Sequence, residues 1–259
     1  MRKSALVGIS LALVGIGLGL YLDGGKISQM LQPTAALIVF GGTLGAVIVQ
    51  FPSAVVIQSF KQLGAVFLGE EDRAAKLLED LVRYAVKARR HGLVSLDGDL
   101  EAIDDLFLKK TLTLAVDGAR SSELREVMET EMDVESDREE LLPMVFEAAG
   151  GFAPTIGILG AVIGLIQVMQ RLENINEVGR GIAVAFVATL YGVGIANLVL
   201  LPCAGRIKIL MHRNQVLREM MLEGVLAILE NRNPKALEAK LSVYLTTSVS
   251  TKKLTSVMQ

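Results

Sequence analysis

The hydrophobic positions of this chain gather in four long runs, and none of the runs contains a charged side chain. The runs occupy residues 4–22, 27–60, 148–170 and 181–205. A helix needs roughly 20 apolar residues to cross the hydrocarbon core of a bilayer, so each run is long enough. The pattern predicts membrane helices near residues 4–22, 34–57, 150–170 and 181–203.

The stretches between and after these runs are polar, and the longest of them, residues 58–147, has a helical pattern. A helix is predicted from Asp72 to Arg90, because apolar residues recur there at spacings of three and four. Gly92 follows where a helix end is expected. Further helices are predicted from about 98 to 116, and from Ser121 or Ser122 to Glu140, since serine is a good N-cap. No stretch predicts a strand.

The predicted fold class is therefore all-α: a polytopic membrane protein with four transmembrane helices and a helical cytoplasmic insert between helices 2 and 3. The predicted segments are helices 1 and 2 (1–57), the cytoplasmic insert with the rotor contact (58–147), helices 3 and 4 (148–205) and a cytoplasmic tail (206–259). Lysine and arginine flank the N-terminus and the end of the fourth run, which places both termini, the insert and the tail in the cytoplasm. The N-terminus resembles a signal peptide but lacks a clear cleavage site, so a retained membrane helix is expected.

Composition agrees with a membrane protein and leaves little support for enzyme chemistry. The chain has 51 % hydrophobic residues, a mean hydropathy of +0.47 and a net charge of −2. Cys203 is the single cysteine, which excludes an intrachain disulfide. His91 and His212 lie far apart, outside the runs, without metal-ligand spacing. The runs offer only hydroxyls and amides, so we expect neither an enzyme nor a resident cofactor.

The lack of charge inside the runs bears directly on ion transport. A protein that moves ions usually places a carboxylate or a basic group inside a span. Here a partner must supply that group. A carrier that acts alone is disfavoured for the same reason, because it would need intramembrane charges or broken helices at mid-depth.

Glycine, proline and threonine mark the positions of interest within the runs. Glycine pairs four residues apart predict close helix packing within and between subunits, although glycine is common in membrane helices. Pro154 lies several residues into its run and is a candidate hinge, whereas Pro52 and Pro202 better fit helix ends. The Thr189 hydroxyl can bond to its own helix or face a water-filled path. The glycine pairs are Gly15 and Gly19, Gly41 and Gly45, and Gly160 and Gly164.

Two of the runs carry a recognisable motif. Residues 151–165, GFAPTIGILGAVIGL, resemble the A-P-x-x-G-x-x-G-x-x-x-G-L signature of the MotA/PomA family, the ion-conducting stator subunits of the bacterial flagellar motor. The fourth run is also similar to that family at TLYG (189–192), AN (196–197) and LP (201–202). The order of two runs, insert, two runs and tail agrees with the family over nearly the whole chain.

The resemblance implies a bacterial inner-membrane protein that works with partners. Five such subunits surround two copies of a MotB-type partner, whose membrane helix carries the ion-binding aspartate. Ion flow rotates the pentamer, which turns the rotor protein FliG through the cytoplasmic insert. Membrane lipid is a further expected contact, and no nucleic acid is expected.

The resemblance also assigns roles to individual residues. Pro154 and Pro202 match the two family prolines that couple ion flow to conformational change. Arg89 aligns with the arginine that contacts the rotor, and Arg90 is a second basic candidate. Asp97 stands where the family usually has glutamate, so it keeps the charge with a reach shorter by one methylene.

Ion identity depends on two positions. Sodium-type members resemble one another in carrying threonine where this chain has Ala161 and where it has Thr189. The missing hydroxyl at Ala161 removes an oxygen ligand of the kind that a hard cation prefers, which favours protons. A sodium-driven PomA-type stator stays as an alternative, because backbone oxygens can compensate. An ExbB/TolQ-like energising subunit is the other alternative, although those proteins have three spans and no rotor-contact stretch.

Overall fold

The computed structural model describes residues 2–25, 30–68, 73–170, 172–173 and 175–257. Within these ranges the chain is helical and forms no strand, which confirms the all-α prediction. The chain divides into two compact units, one of Met1–Gly69 and Glu140–Lys208, the other of Glu70–Glu139 and Ile209–Gln259. The predicted helix start at Asp72 lies outside the described residues.

The first unit begins with α1, Arg2–Leu22, and α2, which consists of Pro33–Ala36, a π-helical turn at Leu37–Gly41, and Gly42–Gln50. Phe51 is extended (φ −119°, ψ 145°), and α3 spans Ser53–Leu68. The prediction of one helix over 34–57 is therefore wrong. Phe51 precedes Pro52, and the residue before a proline is sterically driven out of the helical region.

Two long helices follow, and both run further than predicted. α6 is one helix of 50 residues, Ser121–Gln170, so the helix expected to end at Glu140 does not end there. Pro143 and Pro154 lie inside it, and each removes only one backbone donor. α7 consists of Ile175–Ile195, a second π turn at Ala196–Leu200, and Leu201–Leu229. It continues past the predicted end at 203 and ends near Asn231, whose φ of +51° is a typical helix-terminating conformation.

The second unit holds α4, Arg73–His91, a 3₁₀ segment, Leu93–Ala102, α5, Leu106–Val116, and α8, Pro234–Val257. Gly92 ends α4 with a φ of +82°, as its position predicts. The predicted helix over 98–116 is wrong in its first part. Asp105 caps α5 by accepting hydrogen bonds from the amides of Phe107 and Leu108 at 3.0 and 3.1 Å, so the α-helix begins only there.

The core of the second unit explains why α4 is amphipathic. Its apolar face packs against α5, α6, α7 and α8 in one cluster of buried side chains. α7 comes close to α4 at Gly224, where an added Cβ would lie 2.7 Å from the Leu81 side chain. Residues that are at most 1 % exposed in this core include Leu81, Leu112, Met128, Val225 and Leu241.

Three helices of the second unit are tied together at Glu223 of α7. Its carboxylate pairs with Arg125 of α6 at 2.7 Å and with Lys240 of α8. Burial by itself would raise the pKa of Glu223, but the hydrogen bonds from Lys240 and Arg125 outweigh it and hold that pKa below its usual value. The ionised form of Glu223 therefore stabilises the fold.

Glu223→Gln should reduce the free energy of unfolding at neutral pH by about 1–3 kcal/mol, because it removes two charge-assisted hydrogen bonds. The native carboxylate has the lower pKa, so its contribution is complete above the unfolded-state value of about 4.3 and is lost as pH falls through the folded-state value. Unfolding midpoints of the purified protein from pH 7 to 3 test this. Glu101→Gln, at an exposed site, is the control. A gap between the Glu223→Gln and native proteins that does not narrow on acidification would contradict the assignment.

The described residues include three helices that are long and apolar enough to cross a membrane. They lie within Pro33–Gln50, Ser121–Gln170 and Glu177–Leu229, and Val7–Leu22 is a shorter apolar helix. Their outer faces expose large apolar side chains, such as Leu37 at 76 %, Val49 at 89 % and Phe186 at 75 %. Faces of this kind are typical of helices in contact with lipid.

Candidate functional site

α6 and α7 meet along a stripe of small residues in the first unit. A Cβ added to Gly192 would lie 2.4 Å from the carbonyl oxygen of Ala153, and one added to Gly157 would lie 2.9 Å from that of Ala188. Both obstacles are backbone atoms, which cannot rotate away. The two helices therefore pack with their backbones in contact, as small residues allow in membranes.

This contact confirms close packing for one of the three predicted glycine pairs. A Cβ on Gly160 would meet Ala188, and one on Gly164 would meet Gly181 and Ala185. At the other pairs an added Cβ has no atom within 4 Å in the described part of the chain, so these glycines do not mediate close packing there; they are Gly15, Gly19, Gly41 and Gly45. Packing of those four between subunits stays a prediction.

Sequence reasoning missed the α7 side of this contact. Small residues stand at 181, 185, 188 and 192, a spacing of four, three and four that places them on one helical face. That spacing is the signal that would have found Gly181 and Gly192. In α2, the contacting glycine is Gly42, where a Cβ would lie 2.8 Å from the Ile156 side chain.

The two prolines assigned to coupling each follow a contact residue of this interface. Pro154 comes directly after Ala153, which Gly192 approaches, and Pro202 comes directly after Leu201, whose side chain lies 2.7 Å from a Cβ on Gly150. Pro202 does not end a helix, contrary to the helix-end interpretation. It follows a π turn, and such turns are frequent at functional sites.

Both positions that bear on ion identity border the same interface. The Thr189 hydroxyl donates to the carbonyl oxygen of Ala185, one turn back on its own helix, at 3.3 Å. The Cα atom of Thr189 would lie 3.4 Å from a Cβ on Gly157. Ala161 lies one turn beyond Gly157 on α6 and, like Thr189, is half-buried. Thr189 thus lies at the contact of α6 and α7, and Ala161 lies one turn along α6 from the residue that Thr189 approaches, in a run without charged side chains.

Tyr191 has a structural role that its place in the TLYG motif did not predict. Its hydroxyl donates to the carbonyl oxygen of Met30 and accepts a hydrogen bond from the amide of Gln32 at 3.3 Å. Its ring stacks on Phe40 with the centroids 6.0 Å apart. Tyr191 therefore fixes α7 to the beginning of α2.

The predicted rotor-contact residues lie in the second unit, in the two consecutive elements on either side of Gly92. Arg89 and Arg90 are in the last turn of α4, and Asp97 is in the 3₁₀ segment after it. All three are exposed, whereas Leu96, next to Asp97, is 1 % exposed and anchors the segment in the core. Within the described residues, none of the three charged groups forms an ion pair. We call Arg89, Arg90 and Asp97 the charged corner.

Comparisons with known proteins decide the family. Residues 99–220 match the MotA/TolQ/ExbB proton channel family, and residues 6–92 match the N-terminal region called Motility protein A N-terminal. Motility protein A of Bacillus subtilis is 39 % identical over 251 residues, which cover 95 % of this chain and 91 % of that protein. The chain belongs to the MotA/TolQ/ExbB proton channel family.

Solved structures agree with this family assignment. The chain is similar to a subunit in the flagellar MotAB stator complex from Bacillus subtilis, with a TM-score of 0.85, 38 % identity, and coverage of 96 % of this chain and 98 % of that one. A subunit of C. jejuni MotAB gives a TM-score of 0.89 at 29 % identity, covering 94 % and 96 %. Chemotaxis protein PomA of Vibrio alginolyticus is 29 % identical over 222 residues, 86 % of this chain and 87 % of that protein.

This family member is a membrane protein of the flagellar motor stator, as its motifs indicated. The matches point to an ion-channel subunit and not to a known enzyme family. These matches do not decide whether the transported ion is a proton or sodium, so the interpretation of Ala161 stays a prediction.

Proposed function

We propose that this stator subunit forms an ion channel with a MotB-type partner and converts ion flow into torque on the rotor. The observation that carries the proposal is the uncharged, backbone-to-backbone contact of α6 and α7, in a chain whose apolar runs contain no charged residue. Such a contact is a channel wall without an ion-binding carboxylate. A partner helix that brings an aspartate completes the site.

The finer arrangement belongs to the same proposal. Four membrane helices cross the bacterial inner membrane with both termini in the cytoplasm, and the insert and tail lie on that side. Five copies surround two copies of the partner, with lipid around them. The distribution of lysine and arginine supports this orientation, and the similar solved structures are MotAB complexes.

Ion flow supplies the energy, and the interface of α6 and α7 responds to it. One charge crossing ~150 mV releases roughly 3.5 kcal/mol, to which a concentration difference adds. Pro154 lacks the amide that would bond to the carbonyl of Gly150, so α6 is locally less constrained there. The π turn before Pro202 gives α7 a second such point. These two points are the proposed hinges.

The charged corner is the proposed contact with the rotor protein FliG. Its charges are exposed, of both signs, and without ion pairs in the described chain. Exposed ion pairs contribute about 0–1 kcal/mol each, which suits contacts that form and break at every step.

Pro154→Ala should leave the fold intact and reduce torque. Alanine restores the amide hydrogen bond to Gly150 and stiffens α6 at the proposed hinge. Rotation of tethered cells measures torque, and copurification with the partner reports assembly. Pro143→Ala, a buried proline of the same helix outside the apolar run, is the control and should keep torque near normal. Unchanged torque in Pro154→Ala would remove the hinge.

Swimming speed across a sodium series, at fixed proton motive force, tests the proposed function together with its ion. Cells that rely on this subunit and its partner should swim at a speed independent of sodium, because Ala161 provides no hydroxyl ligand. Speed that rises and saturates with sodium would overturn the proton assignment. Failure to swim at any sodium concentration, with the complex assembled, would contradict the stator function itself. Ala161→Thr is the matched variant, because it adds the missing hydroxyl, and swimming speed should then gain a dependence on sodium.

A further inference from the structure

One ion pair joins the two chain segments that carry the charged corner. The Lys87 ammonium of α4 lies 2.7 Å from Asp99 Oδ2 in the 3₁₀ segment, and both side chains are about one-third exposed. Lys87 precedes Arg89 by two residues, and Asp99 follows Asp97 by two residues. The pair therefore closes the turn that presents Arg89 and Asp97.

The backbone between the two residues depends on local contacts to keep its shape. Gly92 holds a φ of +82°, and Ser95 donates to the Gly92 carbonyl through its hydroxyl at 2.6 Å. Leu96 and Leu100 attach the segment to the core. The Lys87–Asp99 pair is the side-chain bond that fixes the exposed side of this segment to α4.

The pair also decides which charges are available. Lys87 and Asp99 satisfy each other, while Arg89, Arg90 and Asp97 have no ion-pair partner within the described chain. Without Lys87, the Asp99 carboxylate would lose its partner and would add an unpaired acid to the segment that carries Asp97. An intact pair keeps that charge compensated.

We propose that Lys87 and Asp99 are positioning residues for the rotor contact: they hold the segments of Arg89 and Asp97 in register. The exposed charges that they support, two cations at the end of α4 and one anion in the 3₁₀ segment after it, fit a protein partner with the opposite charges. This inference rests on the proposed function, because it assigns a role within the rotor contact.

Lys87→Met and Asp99→Asn test the proposal, together with the exchanged variant that carries both Lys87→Asp and Asp99→Lys. Each single change should lower the occupancy of the rotor contact, measured as torque of tethered cells, by up to about fivefold. The exchanged variant should recover most of the torque, since it restores the bond. Assembly with the partner and ion conductance should stay at the native level in all three.

Two controls separate positioning from general stability. Lys110→Met breaks the Lys110–Glu131 pair, 2.5 Å long, which joins α5 to α6 and includes no residue of the charged corner or its segment, and should leave torque unchanged. Lys87→Met added to Arg89→Glu should cause little further loss, because residues that act through one another are not additive. Normal torque in both single variants, or an exchanged variant no better than they are, would overturn the proposal. Absent torque in the native protein would instead count against the proposed function.

Discussion

Gly192→Val is expected to abolish torque and to lower the amount of folded stator subunit in the membrane. The Cβ atom would lie 2.4 Å from the Ala153 carbonyl oxygen and 3.1 Å from the Gly157 Cα. Neither backbone atom can move without separating α6 from α7, so the helices must part. Overpacking of this kind costs typically 1–3 kcal/mol and more when backbone is the obstacle. Since the proposed ion path borders this contact, torque is lost even where some protein still folds.

The same helix supplies a matched control. Gly194 lies two residues further along α7, and an added Cβ there meets no atom within 4 Å in the described chain. Gly194→Val should therefore fold and accumulate to nearly native levels. Membrane content, unfolding temperature and torque, measured on both variants, test the claim. Native levels and torque in Gly192→Val would show that the backbone contact is not required.

Arg89→Glu should sharply reduce torque while the complex assembles normally. The side chain is exposed at the end of α4 and has no ion pair in the described chain, so its reversal changes the surface and not the core. Exchanging an attraction of up to about 1 kcal/mol for a repulsion of similar size changes the contact energy by up to about 2 kcal/mol. That is a factor of up to roughly 30 in occupancy. Asp97→Lys should act in the same direction.

Arg120→Glu provides the control for charge reversal, because Arg120 is an exposed arginine of the same unit that is not part of the charged corner. It should leave torque nearly unchanged. A compensating charge reversal on the rotor protein should restore torque in cells with Arg89→Glu. The same reversal should not raise torque in cells with the wild-type subunit. Normal torque with both Arg89→Glu and Asp97→Lys would remove the charged corner from the rotor contact.

Local chemistry explains where the fold could be predicted and where it could not. The amphipathic pattern of α4 and the glycine after it were sufficient to predict this helix and its end. Hydrophobic periodicity and a glycine with positive φ both act over only a few neighbouring positions. The start of α5 after Asp105 was missed, and the break at Phe51 was predicted only through the interpretation of Pro52 as a helix end, although the span was extended to residue 57. Both depend on a single residue, a proline or a capping carboxylate, and periodicity does not register either one.

The candidate site shows the same division. Gly160 and Gly164 were predicted to pack closely and do so, whereas the two other glycine pairs with the same spacing have no neighbour within 4 Å in the described chain. Spacing defines a helical face, but it does not say which face another helix covers. Tyr191 could not be assigned its role, since its hydrogen-bond partner Met30 is 161 residues away and nothing local identifies it. Gly192 was missed because the small residues of α7 follow a mixed spacing of four and three.

The central claim is that this subunit forms the wall of an ion path and that its partner brings the ion-binding carboxylate. It is tested most directly by rotation of single tethered cells that lack their own stators and express this chain with its MotB-type partner. Our account predicts stepwise torque with the native partner, and none when the aspartate of the partner's membrane helix is replaced by asparagine, although both complexes assemble. Sustained rotation with the asparagine partner would contradict it.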